Sequence, residues 1–475
     1  MGVENVFVCV FRGWNKGLLS NFLKFVIRPA SKTGYFGLST FPDFAIVSPR
    51  MNLLRQLHEH LQKKRAYSGA LNALRFLGPG MLVTVGFIDP GNWATNVAAG
   101  AQFGYTLLWV ITISTAMLIL LQHNAAHLGI VTGSCLAESA TQHLPGWLSR
   151  PLLGSAVIAA IATAFAEILG GAIALQMLFQ LPLRIGAALT TVVSLGLLLW
   201  NSYRRLEKLI IGFVSLIGLA FIAEMFLIDT NWVTAAKGWV TPALPTGSIL
   251  IVMGVLGAVV MPHNLFLHSE VIQSRQWNIQ GESAIANHLK YEWLDTLFSM
   301  IIGWMINSAM ILLAAATFFR AGVPVTSLEQ AQDMLRPILG GNGPLAATLF
   351  AVALLCAGLT ASVTAGMAGS SIYAGMFNKH YDIHTRTSKL GVAITLGAAF
   401  LAILFVTNSF KALILSQVLL SIQLPFTIML QVYLTSSPKV MGTHANTPRG
   451  KILLWAIAII VIVLNLILLR NTFMP

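Results

Sequence analysis

Two short stretches of this chain set reactive side chains beside a proline inside an otherwise apolar run. The first reads Gly86-Phe87-Ile88-Asp89-Pro90-Gly91-Asn92-Trp93, and the second Ala258-Val259-Val260-Met261-Pro262-His263-Asn264. Proline removes a backbone donor and clashes with the preceding turn, so a helix breaks at each. Inside a bilayer, the freed backbone groups must be satisfied by protein, water or a bound ion. Asp89 offers a charged oxygen, Asn92 an amide oxygen and Met261 a thioether sulfur. The backbone carbonyls near Gly86 and Ala258 lose their helical partners at the breaks and are free to coordinate. Hard cations such as Mg²⁺ and Ca²⁺ take oxygen throughout. One sulfur in an oxygen-rich shell points to softer divalent ions: Mn²⁺, Fe²⁺, Co²⁺ and Cd²⁺. A single carboxylate binds modestly, which suits a site that must release its ion. His263 has three readings: a ligand, a proton carrier (imidazole titrates near pH 6.5) or a hydrogen-bonded core histidine.

The composition says what must hold these residues. The chain has 475 residues, of which 56% are hydrophobic and 9% charged. A soluble domain carries about 25% charged residues, so the reading that fits is a polytopic helical membrane protein. The net charge of +13 is spread over short loops between apolar runs rather than gathered in one patch. That argues against nucleic acid as a partner. Cys9, Cys135 and Cys356 are far apart, which excludes a disulfide scaffold and a Cys-rich metal site. Long apolar runs are unlike the short alternating strands of an outer-membrane barrel. There is no Walker loop and no nucleophile–base pair, so neither an enzyme nor a resident cofactor is expected.

From Phe76 onward, eleven apolar segments are long enough to cross about 30 Å of hydrocarbon. They lie near 76–102, 106–128, 152–179, 184–201, 209–228, 248–272, 293–318, 345–376, 389–407, 411–434 and 451–470. Residues 1–75 read as a basic, flexible cytoplasmic arm, and Met51 is a second candidate start. With the N-terminus inside, cytoplasmic loops hold twelve Lys and Arg against six on the other side. This places the N-terminus in and the C-terminus out. Both breaks fall in the first helix of a block of five. Repeat one (about 76–228) and repeat two (about 248–434) therefore enter the membrane from opposite sides, with 451–470 appended. That is a 5+5 inverted repeat of the LeuT type, an all-α fold with a site where two discontinuous helices meet at the midplane. Asp89 there is a functional candidate by default, since a carboxylate at a helix centre costs about 2.5–3.5 kcal/mol. His123 and His127, at i and i+4, read as a hydrogen-bonded structural pair.

The run from Gly86 to Asn96, followed by Gly104-Tyr105-Thr106-Leu107-Leu108-Trp109, resembles the first-helix signature of the natural-resistance-associated macrophage protein (Nramp) family. Met261-Pro262-His263-Asn264-Leu265-Phe266-Leu267-His268-Ser269 resembles its sixth-helix signature. Leu128–Gly133 and Ser416–Phe426 are similar to further family segments. The resemblance runs from about Gly78 to Lys439. It implies a proton-coupled importer of Mn²⁺ and Fe²⁺ of the bacterial manganese-importer type, in a bacterial inner membrane, with a monomer sufficient. Asp89, Asn92 and Met261 would bind the metal with the carbonyl of Gly86 in one state and of Ala258 in the other. Gln417 would join the shell in some states. The implied proton route holds Asp89, Glu167, His263, His268 and Arg386.

The chain departs from the family along that route. The third helix usually reads Thr-Asp-Leu-Ala-Glu; here it is Thr163-Ala164-Phe165-Ala166-Glu167, and alanine carries no proton. Gly369–Gly375 differs from the usual eighth helix. Arg386 alone stands for a pair of arginines before the ninth. Glu270 replaces a small residue, as a further proton carrier, a cytoplasmic lure or a partner of Arg275. The expectation is retained metal transport with loosened or rerouted coupling. The alternatives are a metal uniporter, a Mg²⁺ carrier, an organic-substrate carrier or a non-transporting sensor. Met261 argues against the Mg²⁺ carrier, and Met261 with Asp89 against the organic-substrate carrier. A sensor would need a large soluble output domain.

Overall fold

The computed structural model describes residues 89–200, 230–274, 281–331 and 343–473. Among them every regular element is a helix. In chain order the α-helices are α1 (Pro90–Phe103), α2 (Leu108–Thr132), α3 (Leu136–His143), α4 (Gly146–Phe179), α5 (Leu183–Trp200), α6 (Trp232–Val240) and α7 (Ile249–Val259). They continue with α8 (Pro262–Gln273), α9 (Glu282–Ala314), α10 (Gly343–Met376), α11 (Arg386–Ile403), α12 (Ser409–Thr435), α13 (Pro438–Met441) and α14 (Pro448–Phe473). Eight helical stretches are long and apolar enough to cross a membrane, with α7 and α8 counted as one.

Ten of the eleven expected segments are present among the described residues, whole or in part. Segment one is represented by α1, and segment six by α7 and α8. The fifth segment (209–228), the arm (1–75) and Gly86 lie outside the described residues. Three helices were not expected: α3, α6 and α13. With 8, 9 and 4 residues they are too short to span, so a search for spanning runs passes over them. Each begins on a local cue. Cys135 and Glu138 form a reciprocal cap on α3, the Asn231 side chain caps α6, and Pro438 opens α13.

Small residues let the helices close on one another, as bilayer packing requires. A Cβ added to Gly358 of α10 would stand 2.7 Å from the Gly171 backbone nitrogen of α4 and 2.8 Å from the Glu167 carbonyl oxygen. A methyl at Gly170 would overlap Pro90, and one at Gly257 would overlap the Gln417 carbonyl. These contacts draw α1, α4, α7 and α12 around the two breaks. Polar pairs add specificity: the Asn96 amide of α1 donates to Asn307 Oδ1 on α9.

Pro425 lies inside α12, so the Ser421 carbonyl one turn earlier has no helical N–H to accept. Asn465 Nδ2 of α14 donates to that carbonyl at 2.9 Å. The eleventh segment is thus bonded to the tenth at the point where proline opens its ladder.

Candidate functional site

The two breaks share one local design. Asp89 caps α1, followed by Pro90 at the first helical position and Asn92 two residues on. Met261 caps α8, followed by Pro262 and Asn264 in the same register. The asparagine turns back to the cap in both. Asn92 Nδ2 donates to Asp89 Oδ1, and its backbone N–H donates to the same oxygen at 3.1 Å. Asn264 Nδ2 donates to Met261 Sδ at 3.5 Å. One break therefore presents a hard donor and the other a soft one.

The breaks meet through Asn92. Its Nδ2 also donates to the Ala258 carbonyl at 2.9 Å, in the last turn of α7. Two oxygens from opposite repeats, Asp89 Oδ1 and Ala258 O, thus converge on one point now filled by an amide N–H. The ends of α1 and α7 have complementary polarity there: α1 presents its N-terminus to the carboxylate, and α7 its C-terminal carbonyls. Gln417 of α12 closes the third side. Its amide lies so close to the Gly91 Cα that a methyl would overlap it. Its Oε1 is buried without a hydrogen bond among the described residues. Met261 packs with Ala159 and Ala162 of α4 and Leu420 of α12, small or flexible neighbours that leave the thioether room. Asp89, Asn92, Ala258, Met261 and Gln417 are all fully buried.

Glu167 of α4, also fully buried, lies close to the Asp89 carboxyl, and neither of its carboxyl oxygens has a hydrogen-bond partner among the described residues. Ala164 stands one turn earlier on the same helix, and Thr163 Oγ1 meets His263 Nδ1 at 3.0 Å. Glu167 and the His263–Thr163 pair therefore lie close together along α4. His263 is buried, with its ring hydrogen-bonded to Thr163.

The remaining candidates lie elsewhere. His268 bonds Gln122 Oε1 of α2 at 2.8 Å, and its Nε2 stands 3.9 Å from Glu292 of α9. It belongs with His123, which also pairs with Glu292. His123 and His127 stack with ring centroids 6.3 Å apart; the polar partner of His123 is Glu292, not its neighbour on the helix. Glu270 accepts from Ser371 Oγ of α10 at 2.7 Å; Arg275 lies outside the described residues. Arg386, the first residue of α11, is exposed.

The partners that complete these sites were missed from sequence: Thr163, Gln122, Glu292 and Ser371. Only the Cys135–Glu138 cap carried a readable signal, an N-cap followed three residues later by glutamate.

Comparisons with known proteins agree with this architecture. A model of the family described as natural resistance-associated macrophage protein-like matches residues 80–471. The divalent metal cation transporter MntH of Brucella suis is 38% identical over 432 residues, which cover 88% of this chain and 93% of that protein. The crystal structure of the Eremococcus coleocola manganese transporter matches with a TM-score of 0.73 at 30% identity, over 84% of this chain and 87% of that one. MhsT, solved in complex with L-phenylalanine, shares the fold at 17% identity, with a TM-score of 0.53 over 83% and 98% of the two chains. By its family match and its relatives, this integral membrane protein belongs to the Nramp family of divalent metal cation transporters, on the LeuT-type fold.

Proposed function

We propose that this chain imports Mn²⁺ and Fe²⁺ by alternating access, accepts Co²⁺ and Cd²⁺ as softer surrogates, and works as a secondary transporter rather than an enzyme. The observation that carries this reading is the convergence of Asp89 Oδ1 and Ala258 O on one point. An amide N–H and a metal ion ask the same thing of two oxygens. The ion takes the place of Asn92 Nδ2; the Asn92 amide rotates to offer its oxygen, Gln417 adds its unpartnered Oε1, and Met261 adds sulfur. The Gly86 carbonyl replaces that of Ala258 when the helices rearrange. The mixed shell supports transition metals over Mg²⁺.

Protons follow from the neighbouring acids. Asp89 gives up its proton to bind metal, and Glu167 beside it is the nearest acceptor. His263 and Thr163 continue the route along α4. Because Ala164 carries no proton, the ratio of protons to metal is lower than an additional acid would allow. The membrane is a bacterial inner membrane, with the N-terminus cytoplasmic and the C-terminus outside. This side assignment rests on the bias of Lys and Arg among the loops.

The test is direct. The purified protein is sealed in liposomes, and Mn²⁺ entry and internal pH are followed together under an inward proton gradient. Mn²⁺ entry with acidification supports the symport reading. Entry without acidification makes the protein a metal uniporter. Mn²⁺ entry no greater than in Asp89→Ala liposomes refutes the metal reading.

A further inference from the structure

Glu270 lies eight residues past Pro262, about 12 Å along α8 from the midplane break. Two elements bring other donors to it. Cys135 and Glu138 come from the start of α3, and His380 from the connection after α10. Cys135, Glu138 and Glu270 are all buried, and each places a ligand atom within 4.8 Å of the other two. His380 Nδ1 stands 2.8 Å from Glu138 Oε1. Gln273 Nε2 contacts both Glu138 Oε2, at 2.7 Å, and His380 Nδ1, at 3.1 Å.

A polar network alone explains this cluster poorly. A thiol and two carboxyls are buried together, and His380 is the one side chain seen in contact with them, among the described residues, that can carry positive charge. Glu138 Oε2 and Glu270 Oε2 already accept hydrogen bonds, but the buried Glu138 Oε1 has none among the described residues. Gln273, 8% exposed, keeps a buried Oε1 with no hydrogen bond among the described residues, although its amide nitrogen is committed to the cluster. Donors held about 2.0–2.3 Å from one ion in a tetrahedron stand about 3.3–3.8 Å apart. From a spacing of up to 4.8 Å, the cluster closes by at most about 1.5 Å on binding.

We propose that Cys135, Glu138 and Glu270, with His380 as fourth donor, form a second divalent-metal site on the cytoplasmic side of the midplane. One thiolate, two carboxylates and one imidazole make a four-donor set for Zn²⁺, Co²⁺ and Cd²⁺. An anionic thiolate is a soft donor and a stronger one than the neutral Met261 thioether, so this site discriminates more strongly against Mn²⁺. The Cys135 proton leaves to solvent on binding, the sulfur forms the metal bond, and no electron is transferred. The His380 ring is 79% exposed and turns from Glu138 to the ion.

The proposal is independent of the midplane reading and is tested with that site disabled. Full-length Asp89→Ala protein in detergent is titrated with Co²⁺ while thiolate-to-Co²⁺ charge-transfer absorption is recorded. The band is expected to saturate, to persist in a Cys9→Ser/Cys356→Ser version and to vanish with Cys135→Ser. Glu270→Gln, which can still bond Ser371, is expected to weaken Co²⁺ by roughly tenfold or more. The band's absence from folded Asp89→Ala protein, or its survival in Cys135→Ser, overturns the proposal. If Cys135→Ser yields no monodisperse protein, Glu270→Gln decides: tenfold weaker binding supports the site, and unchanged affinity overturns it.

Discussion

Gly91→Ala is the sharpest test of how the midplane site is built. Gly91 is the second residue of α1, where alanine normally stabilises a protein by about 0.4–1 kcal/mol. Here the added methyl would overlap the Gln417 amide and stand 2.9 Å from Asp89 Oδ2. Asp89 is held by two hydrogen bonds from Asn92, so the amide of Gln417 is the group that must move. Overpacking of this kind costs about 1–3 kcal/mol. Placed entirely on the metal-bound state, it weakens Kd by about 5- to 150-fold. Calorimetric titration of Mn²⁺ and Cd²⁺ into detergent-solubilised protein reads this directly. In a Gln417→Ala background the obstruction is gone, and Gly91→Ala is expected to cost under about 0.5 kcal/mol more, a strongly non-additive cycle. Gly154→Ala, whose methyl meets nothing within 4 Å, is the control and should bind as the parent does. Wild-type affinity in Gly91→Ala, or effects that simply add, would refute the placement of Gln417 at the site.

Three further outcomes are expected. Ala164→Asp restores an acid one turn from Glu167 and should raise the protons carried per Mn²⁺ in liposomes; an unchanged ratio would remove α4 from the proton route. His123→Ala strips buried Glu292 of its nearer ring partner and leaves Thr296, which bonds it at 2.6 Å, and the His268 ring 3.9 Å away, so thermal unfolding should show a loss of about 1–3 kcal/mol. Adding Glu292→Gln should recover part of that loss, and no recovery would show that the charge on Glu292 is not the cause. Asn465→Leu leaves the Ser421 carbonyl without its donor and should lower stability by about 0.6–1.7 kcal/mol while Mn²⁺ affinity holds. A parallel loss of affinity would mean that α14 shapes the site itself.

What could be read from sequence and what could not separate along a physical line. Lipid imposes local rules, so the spanning segments and the breaks at Pro90 and Pro262 were visible in the order of residue types. Asp89, Asn92 and Met261 were legible because each lies within two residues of its proline. Contacts between helices obey no local rule. Nothing near Glu270 in sequence announces Cys135 or Glu138, which lie more than 130 positions earlier. Nothing near His268 announces Gln122. The bridging amide of Asn92 was missed because its donor end, not its oxygen, makes the link to Ala258.

The bond from Asn465 to the Ser421 carbonyl also has a meaning in time. The two residues are 44 positions apart. At about 5–20 residues per second, a ribosome needs roughly two to nine seconds to travel from one to the other. For that interval the tenth segment enters the bilayer with an open carbonyl and no partner yet synthesised. Water or the insertion machinery must hold it. The eleventh segment, outside both repeats, is in this sense the last step of the tenth's assembly. A chain cut before residue 465 would keep every residue of the midplane site and still leave a polar group facing lipid.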